Sequence, residues 1–314
     1  MFRYVLRRFV AALVSIVLAS ALVFAAVLAI PGDPAEIILG LNASPQALEA
    51  LREKLGLNVP ALQRYLSWLA GVARGDFGES LNYQKPVGGL IAHRLRVSVP
   101  LALGGALIAT LLAIPLGILA ARRRGTAIDP LVTTLAQVGA AIPSFWLGLM
   151  LILLFAVNLQ WLPAGGYIPW ERAPLETLQS LVLPIFALGL GQAAVMTRMT
   201  RAAVLDVLSQ DFVRTAQAKG LAEAQVVRVH VLRNALITIV TILGLSLSNI
   251  FIGSIIIEQV FALPGLGRLA LTAIGTRDYP LLQGEILVYA GTIVLLSFLV
   301  DISYGFLDPR IRYT

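Results

Sequence analysis

The sequence predicts an all-α integral membrane protein with six transmembrane helices, short amphipathic helices in the first outer loop and a cytoplasmic pair of short helices. Three observations point there. Of 314 residues, 58% are hydrophobic and only 13% charged, where a soluble domain carries about 25% charge. The apolar residues gather into runs instead of recurring at the periods of a half-buried strand or helix. Several of these runs, free of Asp, Glu, Lys, Arg and His, reach the ~20 residues a helix needs to cross hydrocarbon: Phe9–Gly32, Val97–Ala121, Pro130–Trp170, Thr177–Thr197 and Asn234–Ile257, with Tyr279–Val300 broken only by Glu285.

Residues 1–8, with Arg3, Arg7 and Arg8, form a basic cytoplasmic N-terminus, and 9–30 the first span. Its apolar stretch is too long for a secretory signal and Pro31 follows without a small-x-small site, so it is expected to remain uncleaved. Residues 31–96 make the first outer loop. There Ser44 and Pro45 supply an N-cap and a proline at the first helical position, Leu48, Leu51 and Leu55 share one face, and Gly56 stops the helix. Pro60 opens a second pattern through Leu62, Tyr65, Leu66, Leu69 and Val72 that ends at Gly75. With Tyr65 and Trp68 suited to the membrane interface, the segment reads as a cover for the bundle; a platform for an outer partner is the other reading.

The second span takes 97–120, a cytoplasmic loop with Arg122, Arg123 and Arg124 takes 121–129, and the third span takes 130–157. Pro115 and Pro143 should kink their helices. The polar, Gly- and Pro-rich stretch 158–176 is an outer loop. The fourth span follows at 177–199, a cytoplasmic loop at 200–233, the fifth span at 234–257, an outer loop at 258–280, the sixth span at 281–303 and a cytoplasmic C-terminus at 304–314. Basic residues concentrate in the segments assigned inside, which places both termini in the cytoplasm. The net charge of +7 belongs to that face and to contact with membrane lipid, not to nucleic acid.

The chemistry that is missing narrows the function. There is no G-x-x-x-x-G-K-[ST] phosphate loop and no H-E-x-x-H; cysteine is absent, and His93 and His230 fall on opposite sides of the membrane. No catalytic, cofactor or metal site is expected. Gln192 and Asn249 are the deepest polar residues, while Glu258 and Glu285 lie near span ends where a charge can reach water. These four are the candidates for a translocation path, and helix-packing hydrogen bonds account for the two amides equally well.

The most ordered polar segment is Arg214–Arg233, a basic island between two apolar runs. Asp211 is placed to cap a helix Phe212–Lys219, Gly220 to close it in the left-handed conformation, and Ala222–Leu232 to form a second helix. Phe212, Ala216, Leu221 and Val227 offer small or apolar contacts, ringed by Arg214, Lys219, Arg228 and Arg233.

This segment resembles the EAA loop of ABC-importer permeases, which places Glu-Ala-Ala, a Gly six positions after the Glu, and Ile-x-Leu-Pro ten positions beyond that Gly. Here those positions read Arg214-Thr215-Ala216, Gly220 and His230-Val231-Leu232-Arg233, so Ala216, Gly220 and Leu232 match and the rest depart. The wider wording is closer to the dipeptide, oligopeptide and nickel importer permeases: DFVRTAQAKGL, HVLRNALI, GDFGES at Gly75–Ser80, IPSFWLGL at Ile142–Leu149, EQVFALPGLGRL at Glu258–Leu269, RDYPLLQG at Arg277–Gly284 and DPRIRY at Asp308–Tyr313.

The resemblance implies a type I ABC-importer permease-like arrangement with a permease core over 97–303. It implies a second, similar permease as heterodimer partner, two cytoplasmic ATPases that hold the ATP and Mg, and an extracytoplasmic binding protein that delivers peptide. Asp211, Phe212, Arg214, Thr215, Ala216, Lys219, Gly220, Leu221, His230, Leu232 and Arg233 would then couple to an ATPase. Phe212 and Ala216 would meet its groove, and Gly220 would be the hinge. Phe261, Leu263, Pro264 and Leu266 would dock the binding protein. Two other classes stay open: an ion-coupled carrier or channel working without ATPases, and a scaffold that recruits a partner without moving substrate.

Overall fold

Where proline falls relative to a helix end decides how these apolar runs cross the membrane. The computed structural model describes residues 2–29, 35–36, 40, 43–54 and 56–307, with side chains for all but Phe2, Leu51, Lys54 and 304–307. The helices are α1 (Phe2–Ala29), α2 (Pro45–Lys54), α3 (Ala61–Val72), α4 (Val87–Arg122), α5 (Ile128–Ala141), α6 (Ser144–Asn158), α7 (Pro174–Leu208), α8 (Asp211–Ala218), α9 (Glu223–Val260), α10 (Leu266–Gly275) and α11 (Tyr279–Leu307). Helices α1, α4, α7, α9 and α11 are each long and apolar enough to span a bilayer; α5 and α6 add a sixth span if taken together.

Within the expected third span of 130–157 the chain breaks at Pro143, the proline expected to kink it. The chain bends by 94° between α5 and α6. Pro143 has no N–H to continue the α5 ladder, and its ring forces Ile142 into an extended conformation at φ −79°, ψ 121°. Pro100 and Pro115 in α4 and Pro184 in α7 leave their helices continuous.

The 36 residues of α4 reach about 54 Å at 1.5 Å per residue, well beyond the ~30 Å of bilayer hydrocarbon. Hydropathy finds the part of such a helix that crosses lipid and misses its ends. Accordingly α4 begins ten residues before the expected 97, and α7 runs to Leu208 through the first part of the expected loop.

Two faces of α4 divide its work. Leu103, Leu107 and Leu111 recur every fourth residue and are 57–60% exposed, a stripe for lipid. Gly105, Ala109, Ala113 and Gly117 recur on the other face, buried, and small side chains there let backbones approach closely. A Cβ on Gly117 would stand 2.7 Å from Thr200 Cβ, and one on Gly189 2.8 Å from Ile108 Cβ. Helices α4 and α7 therefore form the tightest pair, and α9 packs against both.

Helix α1 packs on α11. Arg8 Nη1 lies 3.0 Å from Asp301 Oδ2, Tyr4 donates to the Asp301 carbonyl, and Phe9 meets Phe298 edge to face at 6.2 Å. The start of α1 and the end of α11 thus share one end of the bundle. In the first outer loop, Ser44 Oγ accepts the Ala47 N–H at 3.2 Å, the expected N-cap, and Gly56 takes φ +65°. Tyr65 of α3 bonds Ser20 at 2.8 Å and stacks near Phe24, so α3 lies along α1. The expected helix face at Leu55, the last residue of the first span and the motif at 308–313 lie outside the described residues.

Candidate functional site

The basic island folds as a knob at one end of the bundle. Helix α8 begins at Asp211, after Gln210 in an extended conformation. Asp211 is therefore the first helical residue and not the cap, a correction to the expected capping role; its carboxylate still favours the helix N-terminus. The helix closes at Lys219, and Gly220 takes φ +78° with its N–H on the Gln217 carbonyl at 2.9 Å. An L side chain at that angle is strained, which explains glycine here.

The expected second short helix, Ala222–Leu232, is not a separate element. It begins at Glu223 and runs without interruption into the next long helix, with wide π turns over Val226–Val231. The knob is thus a single short helix clamped between two long ones. Its inner face is aliphatic. Val213 and Ala216 pack with Val204 and Val207 of α7, with Ala121 of α4, and with Val226, Val231, Ala235 and Ile239 of α9. Leu221 and Leu232 flank this cluster.

Burial of Ala216 removes it as a groove contact: its methyl belongs to the chain's own core. Phe212, at 39% exposed, stays on the outside. Arg214 pairs with Asp211 at 3.5 Å across an exposed turn, Thr215 donates to the Asp211 carbonyl, and Lys219 and Arg233 are exposed. His230 is half-buried, and its carbonyl accepts Asn234 Nδ2 at 2.6 Å. Glu223 meets Arg122 at 3.2 Å, which ties the second arm of the knob to α4.

The opposite end is organised around buried carboxylates. Glu258, on the last turn of α9, is fully buried. Ser98 of α4 donates its hydroxyl to Glu258 Oε1 at 2.6 Å and accepts the Leu266 N–H at 2.8 Å; the Arg268 N–H donates to Oε2 at 3.2 Å. Asp278 likewise accepts from the Ser80 hydroxyl and, at 3.0 Å, from the Asn82 N–H. Glu258 so holds the start of α10, and Asp278 holds the loop before α4.

Phe261, Leu263 and Leu266 are 0% exposed and Pro264 is half-buried. This corrects their expected role in docking: the FALPGLGRL segment is an internal plug, packed on Gly148 of α6 and with the Phe261 carbonyl on the Gly166 N–H at 2.9 Å. Four of the family-like segments, around Gly75–Ser80, Ile142–Leu149, Glu258–Leu269 and Arg277–Gly284, converge at this end. Nothing in their spacing announces that they meet.

The expected path residues separate. Gln192 donates to Ser246 Oγ at 2.9 Å, a bond between α7 and α9. Asn249 is exposed on α9. Glu258 and Glu285 are sealed inside the chain, which corrects their placement where a charge reaches water; no hydrogen-bond partner meets either carboxylate oxygen of Glu285 among the described residues. Sequence reasoning also missed the Asp129–Arg201 pair, with Nε to Oδ1 at 2.6 Å and Nη2 to Oδ2 at 2.7 Å. Arg201 falls within the basic segment 200–233, and hydropathy cannot tell a paired arginine from a free one. No group of three or more His, Asp or Glu suited to a metal occurs among the described residues.

Comparison with known proteins gives concordant results. The profile described as binding-protein-dependent transport system inner membrane component matches residues 113–313, and the one for the N-terminal part of such membrane components matches residues 1–102. A protein of Brucella abortus (strain 2308) named as a peptide transport system permease is 41% identical over 309 residues, 98% of each chain. The glutathione transport system permease protein GsiC of Escherichia coli (strain K12) is 40% identical over 313 residues, the full length of both. Among solved structures, an inward-facing form of the MetNI methionine ABC transporter superposes with a TM-score of 0.59 at 18% identity, covering 70% of this chain and 96% of that one; at that identity the likeness shows the fold.

Proposed function

The chain belongs to the binding-protein-dependent transport system inner membrane component family, and from that premise we propose that it carries peptides inward as one half of a permease pair powered by two cytoplasmic ATPases. It is a multi-pass inner-membrane protein and a non-catalytic transport subunit. Di- or oligopeptides, glutathione among them, are the cargo that the names of its relatives support. A second, similar permease completes the path and an extracytoplasmic binding protein delivers the cargo.

The observation that carries the coupling role is the knob: a short helix with an exposed outer face, fixed by aliphatic packing to two helices that cross the membrane. Force applied to α8 reaches α7 and α9 without passing through a flexible loop. In this reading the knob end is cytoplasmic, Phe212 seats in the ATPase, and Arg214, Lys219 and Arg233 meet its rim. Gly220 holds the turn that angles α8 against α9. Closure of the ATPases on ATP favours one arrangement of the permease pair over the other, and that difference in binding drives alternating access. Asn249, exposed on α9, is the remaining candidate for the path.

Reconstitution tests the proposal. The chain is placed in liposomes with a second permease of the family, ATPases and a binding protein, and uptake of di- and oligopeptides is measured with and without ATP. ATP-dependent uptake that also requires the binding protein is expected. Uptake by this chain alone, driven by an ion gradient, would point to the carrier reading instead.

A further inference from the structure

The broken helix pair carries a polar fastening that the knob does not need for its own packing. At the start of α5, Asp129 is only 7% exposed and accepts two parallel hydrogen bonds from the Arg201 guanidinium of α7, at 2.6 and 2.7 Å. Such a bidentate pair fixes orientation as well as distance, and burial of the carboxylate limits screening by salt. Eight residues further along α5, Gln137 accepts from Arg198 Nη1 at 2.8 Å. Two residues beyond that, a Cβ on Gly139 would stand 3.1 Å from Ala194 Cβ. These contacts span ten residues of α5, about 15 Å of helix, and every partner lies on α7. Helix α5 is therefore held to α7 against both sliding and rotation.

The constraint stops at Ile142 and Pro143. Beyond the 94° bend, α6 packs through Gly148 on Phe261 of the plug, where a Cβ would stand 3.0 Å from Cε2. Arg201 sits less than one turn from Val204, which is in the knob's aliphatic cluster. So α5 is fastened to the part of α7 that holds the knob, whereas α6 packs on α7 and, through Gly148, on the plug at the opposite end. An apolar groove of about 320 Å³ lies between α4, α5 and α7 and reaches the bend, lined by Leu112, Leu116, Leu135, Ile142, Leu147 and Gly191. Empty space beside a break between two arms that differ in their fastening leaves room for the angle to change.

We propose that Asp129 and Arg201 are the positioning pair that makes α5 travel with the knob, and that Ile142–Pro143 is the hinge at which this moving arm meets the stationary plug. The proposal rests on the reading of the knob as the ATPase contact. It divides the chain into two bodies: α5 with the knob end of α4 and α7, and α6 with the plug.

The complete transporter in liposomes supplies the test. Asp129→Asn removes the charge and keeps the shape. Its complex should assemble and hydrolyse ATP at the basal rate with a somewhat lower unfolding midpoint, because Arg201 loses its charged partner, while ATP-dependent uptake falls roughly tenfold, within the range of ordinary coupling energies. The exchange Asp129→Arg with Arg201→Asp should restore part of that loss. Unchanged uptake in Asp129→Asn overturns the proposal, as does a fall matched by an equal loss of folded complex.

A second measurement does not depend on those variants. The chain has no cysteine, so Gly139→Cys with Ala194→Cys introduces the only pair, at a separation that a small shift brings into the 3.5–4.5 Å Cβ range of a disulfide. If α5 and α7 move as one body, oxidation cross-links them and leaves uptake unchanged. Arrest on oxidation that a reductant reverses shows relative motion and overturns the proposal. A wild-type complex with no ATP-dependent uptake would instead count against the proposed function, so the two failures are distinguishable.

Discussion

The two ends of this molecule are held together by different physics. At the knob end, Val213, Ala216, Val204, Val207, Val226 and Val231 make a smooth aliphatic seat, and the exposed charges of Arg214 and Lys219 point away from it. At the opposite end, Glu258 and Asp278 are buried and each is met by donors from distant parts of the chain. Aliphatic contact is non-directional, so the seat holds α8 firmly while leaving its outer face free to be gripped. Hydrogen bonds to a buried carboxylate are directional and costly to leave unmade, so the plug has one arrangement. One end leaves an outer face free for contact, and the other holds a fixed shape.

The comparison is broken most severely at Glu258. Replacing it with Ala strands the buried Ser98 hydroxyl and takes the acceptor from the part-buried Arg268 N–H, for a loss of about 3 kcal/mol, read as a lower unfolding midpoint in detergent. Glu258→Gln, which keeps one acceptor oxygen, should lose less. An unchanged midpoint for Glu258→Ala would mean that packing alone holds the plug.

Gly117→Val attacks the rod joining the two ends. Its new side chain meets Thr200 Cβ and the Thr197 carbonyl at 2.7 and 2.8 Å, and overpacking of this kind costs about 1–3 kcal/mol. Because α4 and α7 would part, uptake should fall together with stability. At the knob, Val213→Ala removes two buried methyl groups, about 1.5 kcal/mol by apolar transfer. Here ATPase stimulation by loaded binding protein should drop by more than stability does, since a looser seat slips under load. The smallest structural effect belongs to Phe212→Ala. That exposed ring contributes little to the fold, so the unfolding midpoint should hold while stimulation of the ATPases is lost. Normal stimulation in Phe212→Ala would place the ATPase contact elsewhere on the knob.

Much of this was legible along the chain, for identifiable reasons. Apolar runs report on the bilayer, so the long membrane-suited helices and their order could be read. Ser44 as a cap and Gly220 in a left-handed turn are local preferences, and both hold in the structure. Asp211 was misplaced by one position because cap and first-turn acids satisfy the same local field. Ala216 looked like a contact surface because a small residue on a basic helix is equally suited to a partner's groove or to the chain's own core. Phe261, Leu263 and Leu266 looked like an outer docking face because hydropathy cannot separate an apolar loop on the surface from one folded inward.

The amino-acid sequence by itself determined that the protein lies in the membrane, that it lacks a phosphate-binding loop, and that a basic helix closed by Gly220 interrupts its spans. These follow from composition, motif and backbone preference, which act over a few residues. Only the tertiary structure decided that Glu258 is an internal tie, that Asp129 pairs with Arg201 across 72 positions, and that the apolar run around Pro143 is two arms bent by 94°. Such facts depend on which side chains meet at 3 Å after folding, and no local pattern records a distant partner.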